Sequence, residues 1–358
     1  MNVFDDQEIT ALPPEPVPQR PTLRRLFFGD DGLRAGWSIL LFVLILAAIG
    51  AASTAIIRQW HLIPNTAMDR FAGIHPESTI INDGLVFLAF ASAAWIMSLI
   101  EHRPFSRYGL PGKRALRDVA AGLFWGFVCL SLLIGTLFLT HSLAFDGLAI
   151  HGAEAATSGA QWLAAFFCVG LAEEFSTRGY IQYTVSRGVA GITRALDPHN
   201  RHSNAWGFWV SAFLFSACLF MVGHIGNPGE TVPGILAVGL AGLTFAFSLW
   251  RTGSLWWAIG FHATWDWSQS YLYGVHDSGL AAAGHLLNSH PIGSTLLSGG
   301  ETGPEGSIYI LPTFLVVATI IHFTLPRRKY FLTEDQSPLP PVDLAQKLCS
   351  DSSTALSI

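Results

Sequence analysis

The chain has 358 residues, of which 51% are hydrophobic and only 13% are charged. Soluble domains carry roughly 25% charged residues, so this composition excludes an ordinary soluble globular protein and indicates a chain that lies mostly in lipid. The formal net charge of -5 at pH 7 decides little, because in a membrane protein the placement of charge matters more than its sum. The four cysteines form no CxxC pair, so neither a disulfide framework nor a thiolate metal site is predicted.

Both ends of the chain are polar. Residues 1–35 are rich in proline and then in arginine, and they predict a flexible cytosolic arm. We do not predict a cleaved signal peptide, because the first apolar run is too long for a signal sequence and no clear small-residue cleavage site follows it. Residues 327–358 predict a disordered cytosolic tail.

Eight apolar runs lie between these ends, and each is long enough to predict a membrane-spanning helix. The expected fold is therefore all-α, a polytopic integral membrane protein with a transmembrane bundle over residues 36–326. The predicted spans are Trp37–Ile57, Ile80–Ile100, Val119–Thr140, Trp162–Tyr183, Trp206–Ile225, Pro233–Trp250, Ser254–Leu272 and Ile308–Leu325.

Lys and Arg are concentrated in every second connection between the predicted spans. The connections that alternate with these contain only Arg58 and Arg70, and the loops 142–160, 226–232 and 273–306 contain neither residue type. By the positive-inside rule, this alternation predicts that both termini are cytoplasmic and that the three loops face outward.

The fourth predicted span carries two adjacent carboxylates, Glu173 and Glu174, followed by Arg178. Ionisable groups inside a membrane span are costly and indicate a functional site. In a helix Glu174 and Arg178 share a face, whereas Glu173 points about 100° away. We therefore expect Arg178 to neutralise one carboxylate and leave the other free for proton chemistry. The alternative, a structural ion-pair cluster, is weakened because one Arg cannot easily satisfy two buried Glu side chains.

Two further pairs of residues, each containing a histidine, lie in predicted spans, and the members of each pair are four residues apart. Phe220 and His224 end the fifth span, while His262 and Asp266 lie within the seventh. Four-residue spacing places both members of a pair on one helix face, so each pair can point into a common pocket. A single histidine of this kind could be a hydrogen-bonded core residue. The complete set of membrane-embedded ionisable residues is difficult to explain as packing.

This inventory fits two routes to hydrolysis of an amide bond. In the first, a Glu whose pKa is raised in a low-dielectric site acts as general base on a water, and the other polar groups stabilise the oxyanion. In the second, Glu173, His224 and His262 hold a divalent metal such as zinc, and Asp266 is a fourth ligand or orients one. The sequence contains neither a Gly-x-Ser-x-Gly elbow nor a His-Glu-x-x-His motif.

These motifs resemble those of the CPBP family, which comprises CAAX prenyl proteases of the Ras-converting type and their bacteriocin-processing and abortive-infection relatives. The resemblance covers about residues 100–270 and includes Arg103-Pro104-Phe105-Ser106 followed by Tyr108-Gly109-Leu110. It implies a protease core at about 100–272 with a polar catalytic cavity inside the helix bundle. It also implies that a Glu of the first motif activates water, that His224 helps hold it, and that His262 and Asp266 contact the transition state. The family is variously described as metal-dependent or as glutamate proteases, so the resemblance leaves both routes open.

The expected protein is thus an intramembrane endopeptidase of membrane-embedded or lipid-associated peptides or proteins, with no nucleic-acid partner. It would use no cofactor or, in the alternative, zinc, and we expect it in a bacterial inner membrane. A non-enzymatic transporter or scaffold is the alternative of another class, although no related halves are evident. Helix counting places Glu173 and His262 near mid-membrane but His224 nearer the outer surface. We therefore expect a fifth span that starts later or is tilted, or outer helix ends that dip into a funnel.

Overall fold

The computed structural model describes residues 22–29, 31–60, 74–110 and 112–326. Residues 1–21 of the predicted arm and the whole predicted tail, 327–358, lie outside the described residues. The described part of the chain is predominantly helical. Its α-helices are α1 Thr22–Phe27, α2 Ala35–Trp60, α3 Pro76–Ile100, α4 Ala115–Leu139, α5 Gly152–Arg178, α6 Tyr180–Leu196, α7 Ser203–Ser211, α8 Phe220–His224, α9 Val232–Thr252, α10 Trp256–Asp266, α11 Thr295–Ser298 and α12 Ile310–Thr324.

Two helices continue as π-helices, and two short 3-10 turns complete the helical structure. The π-helical segments are Ala212–Leu219, which joins α7 to α8, and Trp267–Leu272, which extends α10. The 3-10 turns are Phe105–Tyr108 and Pro304–Gly306. Each π-helical segment therefore adjoins one of the two histidine-containing pairs found in the sequence, and π-helical turns are frequent at functional sites.

All eight predicted spans correspond to helices, which confirms the all-α polytopic fold. Six helical stretches are long and apolar enough to cross a membrane, namely Ala35–Trp60, Pro76–Ile100, Ala115–Leu139, Gly152–Leu196, Ser203–His224 and Val232–Thr252. The other two predicted spans are occupied by α10 with its π-helical extension and by α12, which are shorter than these six.

The fourth predicted span, Trp162–Tyr183, differs from the structure at both ends. Helix α5 begins earlier, at Gly152, because the small residues that precede Trp162 continue the helix although they are weakly apolar. It ends at Arg178, because Gly179 adopts φ -80° and ψ -118°, outside the helical region. The chain then starts the separate helix α6, so the first motif lies in the last two turns of α5.

Part of the predicted flexible arm is ordered. Helix α1 is followed by the two-residue strands β1 Phe28–Gly29 and β2 Gly32–Leu33, which pair antiparallel. Asp31 in this hairpin accepts a hydrogen bond from Arg187 Nη1 of α6 at 2.9 Å. The prediction of a flexible segment missed this contact because Arg187 lies more than 150 residues away in the sequence.

Helix α10 lies at the centre of the bundle, between α4 and α5. The α4–α10 contact is close because glycines face backbone on the other helix. A Cβ at Gly122 would collide with the carbonyl oxygen of Trp257, and one at Gly260 would collide with that of Val119. Thr264 Oγ1 also donates to Leu123 O at 2.7 Å. These contacts fix the position of α10 and of the polar side chains that it carries.

The loops predicted to face outward contain a second antiparallel pair of strands, β3 Leu143–Leu148 and β4 Leu287–Pro291. Their register runs from Leu143 opposite Pro291 to Leu148 opposite Leu287, with an irregularity between Phe145 and Gly147. The loop 273–306, for which only partial order was expected, is thereby joined to the loop that precedes α5. Together these segments form a structured cover at one end of the bundle.

Candidate active site

The last turns of α5 separate the two adjacent glutamates, as their helical spacing predicts. Glu174 has no solvent exposure, and its Oε1 lies 2.8 Å from Arg178 Nη1. The Glu173 side chain keeps 32% of its surface exposed and lines a cavity. One carboxylate is therefore neutralised inside the protein while the other faces open space.

Arg178 is fully buried within the bundle and is fixed by hydrogen bonds and by contacts with aromatic rings. Its guanidinium donates to Thr177 Oγ1 at 3.0 Å and to the carbonyl oxygens of Ser216 and Gly242 at 3.4 Å each. The same group lies 4.9 Å from the ring centre of Phe220 and 5.4 Å from that of Phe245. Because Ser216 belongs to the π-helical segment before α8, Arg178 links the first motif to the second.

His262 on α10 connects the two glutamates to Asp266. Its Nδ1 lies 3.1 Å from Glu174 Oε1, while its Nε2 lies 3.6 Å from Glu173 Oε2 and 3.5 Å from Asp266 Oδ2. Both ring nitrogens thus face carboxylate oxygens, an arrangement that favours a hydrogen on each nitrogen and a positive charge on the ring. The ring of Phe245 stacks on His262 with 5.5 Å between centroids.

His224 lies on the same cavity wall but has a different environment. Its Nδ1 lies 2.9 Å from the carbonyl oxygen of Phe220, so this nitrogen carries the hydrogen and donates it. The other nitrogen, Nε2, is then a bare acceptor. The Phe220 ring stands between the two histidines, 4.9 Å from the His224 ring and 6.2 Å from the His262 ring. Phe220 therefore spaces the two imidazoles.

A cavity of about 430 Å³ brings the predicted residues together. Glu173, His224, His262 and Asp266 all line it, whereas Glu174 and Arg178 lie behind the wall. The apolar part of its lining includes Phe166, Val169, Phe220, Ala241, Phe245, Phe261 and Trp265. This is a concave, largely apolar site with a few convergent polar groups, which is the usual form of a ligand pocket.

The cavity is also lined by a second pair of acidic residues that the sequence motifs did not indicate, Asp277 and Glu305 of the loop 273–306. Their carboxyl groups hydrogen-bond to each other, and Ser270 Oγ donates to Asp277 Oδ2 at 3.0 Å. Burial raises the pKa of Asp277, and burial together with the neighbouring charge of Asp277 raises the pKa of Glu305. No local signal joins two acids 28 residues apart in a loop, so sequence reasoning had no means to pair them.

The three residues that the metal alternative requires do not form a ligand set in the structure. Glu173 and His224 each present an oxygen or a bare nitrogen to the cavity, as a metal ligand must. His262 directs Nδ1 to Glu174 Oε1 at 3.1 Å, while its Nε2 lies 3.6 Å from Glu173 Oε2 and 3.5 Å from Asp266 Oδ2. The described ranges contain no group of three or more His, Cys, Asp or Glu arranged to bind a metal ion. We therefore derive no step through a metal.

The cavity extends from the two motifs on α5 and α10 to the loops that follow α8 and α10. Its lining reaches from Glu173 and His262 to Asn227, Ser278 and Leu280. His224 lies along this path because α8 ends at it. The short loop after α8 thus forms part of the cavity wall, as the sequence had suggested.

Comparison with known proteins agrees with the resemblance seen in the motifs. Residues 155–268 match a protein family described as Rce1-like, type II CAAX prenyl endopeptidase. This segment contains all three motifs, from Glu173 to Asp266, and is shorter than the region of resemblance expected from the sequence. No curated protein and no solved structure matches the chain.

Proposed function

Because residues 155–268 form an Rce1-like domain of the type II CAAX prenyl endopeptidase family, we propose that this chain is an intramembrane endopeptidase in which Glu173 activates water. The family is a protease family, which favours an enzyme over the transporter or scaffold considered from the sequence. The proposed mechanism rests on the different environments of the two glutamates: Glu174 is buried in an ion pair, whereas Glu173 faces the cavity.

Glu173 is the proposed general base. A water between Glu173 and His224 would donate one hydrogen to the Glu173 carboxylate and the other to His224 Nε2, which is available because Nδ1 is bonded to Phe220 O. The water oxygen then adds to the carbonyl carbon of the scissile amide as its proton moves to Glu173. When the C–N bond breaks, the same proton passes from Glu173 to the leaving nitrogen.

His262 is the proposed oxyanion stabiliser. Its Nδ1–H donates to Glu174, which fixes the ring so that Nε2–H faces the cavity beside Glu173 and Asp266. Arg178 offsets the charge of Glu174, and this leaves the positive charge of the His262 ring available to the developing oxyanion. Glu174 and Arg178 are therefore positioning residues that act through His262.

Asp266 has two possible roles in this scheme, and they differ in the proton that it carries. A protonated Asp266 would donate a hydrogen bond directly to the oxyanion. An ionised Asp266 would instead orient the His262 ring, whose Nε2 lies 3.5 Å from Asp266 Oδ2. Replacement by Asn supplies a permanent donor. Under the metal-free route, Asp266→Asn is therefore expected to keep or raise activity.

The proposed substrates are peptides or proteins that are embedded in the membrane or associated with lipid. The apolar lining of the cavity and its position within a bundle of membrane-spanning helices support this class. The printed family name refers to CAAX prenyl endopeptidases, but prenylated substrates are not assumed for this chain. From the Lys and Arg alternation we further propose that both termini are cytoplasmic. From the resemblance of the motifs to the CPBP family we propose that the protein resides in a bacterial inner membrane.

The test is cleavage of membrane-anchored reporter peptides by purified protein in detergent or lipid, with products identified by mass spectrometry. Activity that persists after chelation, together with an active Asp266→Asn variant, supports the metal-free route. Activity lost on chelation, restored by Zn²⁺ and weakened in Asp266→Asn would instead establish the zinc alternative, because a neutral amide binds a divalent ion less well than a carboxylate.

A further inference from the structure

The catalytic cavity is closed at one end of the bundle by packed aromatic side chains. Immediately beyond Glu174, Phe175 packs against Phe105 with 5.9 Å between ring centroids. Tyr108 packs edge-to-face against Tyr180 and Tyr183 at 5.1 and 5.4 Å. All of these rings except Phe105 are nearly inaccessible to solvent, with 2% exposure or less. Their close packing leaves no path from the site towards this end of the bundle.

The same end also carries a set of hydrogen bonds and ion pairs. Tyr180 donates to Glu101 Oε1 at 3.0 Å, and Glu101 Oε2 lies 3.6 Å from Arg103 Nε. Arg187 holds the N-terminal hairpin against α6 through Asp31 at 2.9 Å. These contacts connect α3, α6 and the hairpin β1–β2 beneath the aromatic layer, so the floor of the site has two sealed layers.

The opposite end of the cavity is bounded by loops rather than by a packed core. Asn227, Asp277, Ser278, Leu280 and Glu305 line the cavity there. Asn227 Nδ2 donates to Ser278 O at 3.0 Å, which joins the loop after α8 to the loop after α10. The cavity lining that the structure describes includes no residue from the connections 101–117, 179–204 or 251–255.

The two ends also differ in charge. The sealed end is formed by the connections that carry Arg103, Arg107, Arg187 and Arg251, whereas the loops 226–232 and 273–306 at the lined end contain no Lys or Arg. The helix directions agree with this division. Ile80, early in α3, packs against the cluster that contains Trp162 and Phe166, and Phe87, later in α3, lies next to Phe175, so α3 and α5 run in parallel. Both helices end at the basic side. The positive-inside rule places the basic end in the cytoplasm.

We infer that the substrate segment enters this cavity through the end bounded by the loops 226–232 and 273–306, so that the enzyme cleaves chain segments presented on the extracytoplasmic side of the membrane. The inference rests on the proposed function for the identity of the occupant as substrate. The direction of entry is supported by two observations that do not depend on the mechanism: aromatic side chains close one end of the cavity, and loops bound the other end. Through the part of the bundle that the structure describes, a cytosolic tail would have no route to Glu173.

Thiol accessibility tests the inference without requiring activity. Ala241 lines the cavity halfway along α9, and Ala241→Cys introduces a small thiol there. Ser294→Cys, exposed in the outward loop, is the matched control for that face, and Lys113→Cys is the control for the basic face. A membrane-impermeant, charged thiol reagent is applied to intact bacterial cells and to inverted membrane vesicles, with the wild-type protein as the baseline for its own cysteines.

We expect Ala241→Cys and Ser294→Cys to be labelled in intact cells and Lys113→Cys only in inverted vesicles. Cleavage of the reporter by Ala241→Cys should fall in proportion to the labelled fraction, because the adduct occupies the cavity. Should Ala241→Cys fail to fold, Ser78→Cys provides a nearly isosteric thiol on the α3 wall of the same cavity.

Labelling of Ala241→Cys only from inverted vesicles, or from neither side while both controls react as expected, would overturn the inference. Reversed labelling of the two controls would overturn the assignment of the mouth to the extracytoplasmic face. If the cavity cysteine reacts from outside but the wild-type protein cleaves no reporter, the route is upheld and the proposed function fails.

Discussion

Removal of the Arg178 guanidinium should destabilise the protein strongly. The Glu174 carboxylate is not exposed to solvent, and in Arg178→Ala its remaining charged partner is His262. Its Oε2 has no hydrogen-bond partner in the described structure even in the wild type. The variant also loses the donors to the Ser216 and Gly242 carbonyls. Breaking one side of a buried ion pair typically costs about 3–5 kcal/mol, because the other charge stays buried and uncompensated.

A double-mutant cycle separates this cost from the loss of packing. Arg178→Ala, Glu174→Ala and the double variant are unfolded in the same detergent by heat or denaturant. We expect the double variant to be more stable than the sum of the single losses predicts, by about 1–3 kcal/mol, since residues in contact couple on this scale. Arg178→Ala within about 1 kcal/mol of the wild type, the range of an exposed pair, would refute the buried ion pair as the support of the site.

Three further outcomes are expected. Glu174→Gln should lower kcat through misplacement of His262 and should shift the pH profile, because the neutral amide no longer favours a charged ring; an unchanged profile would contradict its positioning role. Asp266→Asn should keep activity with no bound metal, measured by cleavage rate and elemental analysis, and a metal-dependent loss would contradict the metal-free route. Because the pKa values of Asp277 and Glu305 are raised, these carboxyl groups stay protonated to a higher pH in the folded state than in the unfolded state. The free energy of unfolding that they contribute should therefore be largest below about pH 4 and should decrease as the pH rises through the raised pKa values. Asp277→Asn should flatten this decline in a plot of unfolding midpoint against pH, and an equally steep decline would count against the carboxyl pair.

The sequence predicted the elements that depend on local pattern. Apolar runs located the helices of all eight predicted spans, and four-residue spacing placed Glu174 beside Arg178 and His262 beside Asp266. Helix ends were predicted less well, since hydropathy does not distinguish the Ala-rich start of α5 from a loop and a single glycine, Gly179, ends the helix. Periodicity gives the face of a residue but not its partners on other helices.

The features that sequence reasoning missed all depend on contacts between distant segments. The carbonyl oxygen of Ser216 accepts a hydrogen bond from Arg178. Ser216 lies in a π-helical segment, and the amino-acid composition of that segment does not predict a π-helix. The hydrogen bond between Asp277 and Glu305 and the β3–β4 pairing likewise join parts of the chain that only the folded bundle brings together. The contact of Asp31 with Arg187 has the same origin.

The most direct test of the account is the cleavage rate of Glu173→Gln compared with that of the wild type, both purified and with matched unfolding midpoints. Gln keeps the shape of the side chain at the cavity wall but cannot accept the proton of the attacking water. The account predicts a rate lower by about 10²–10⁴-fold, with little change in stability because the Glu173 side chain is 32% exposed and makes no buried ion pair of the Glu174 kind. Full activity in Glu173→Gln, with activity lost in Glu174→Gln, would contradict the assignment of Glu173 as the base.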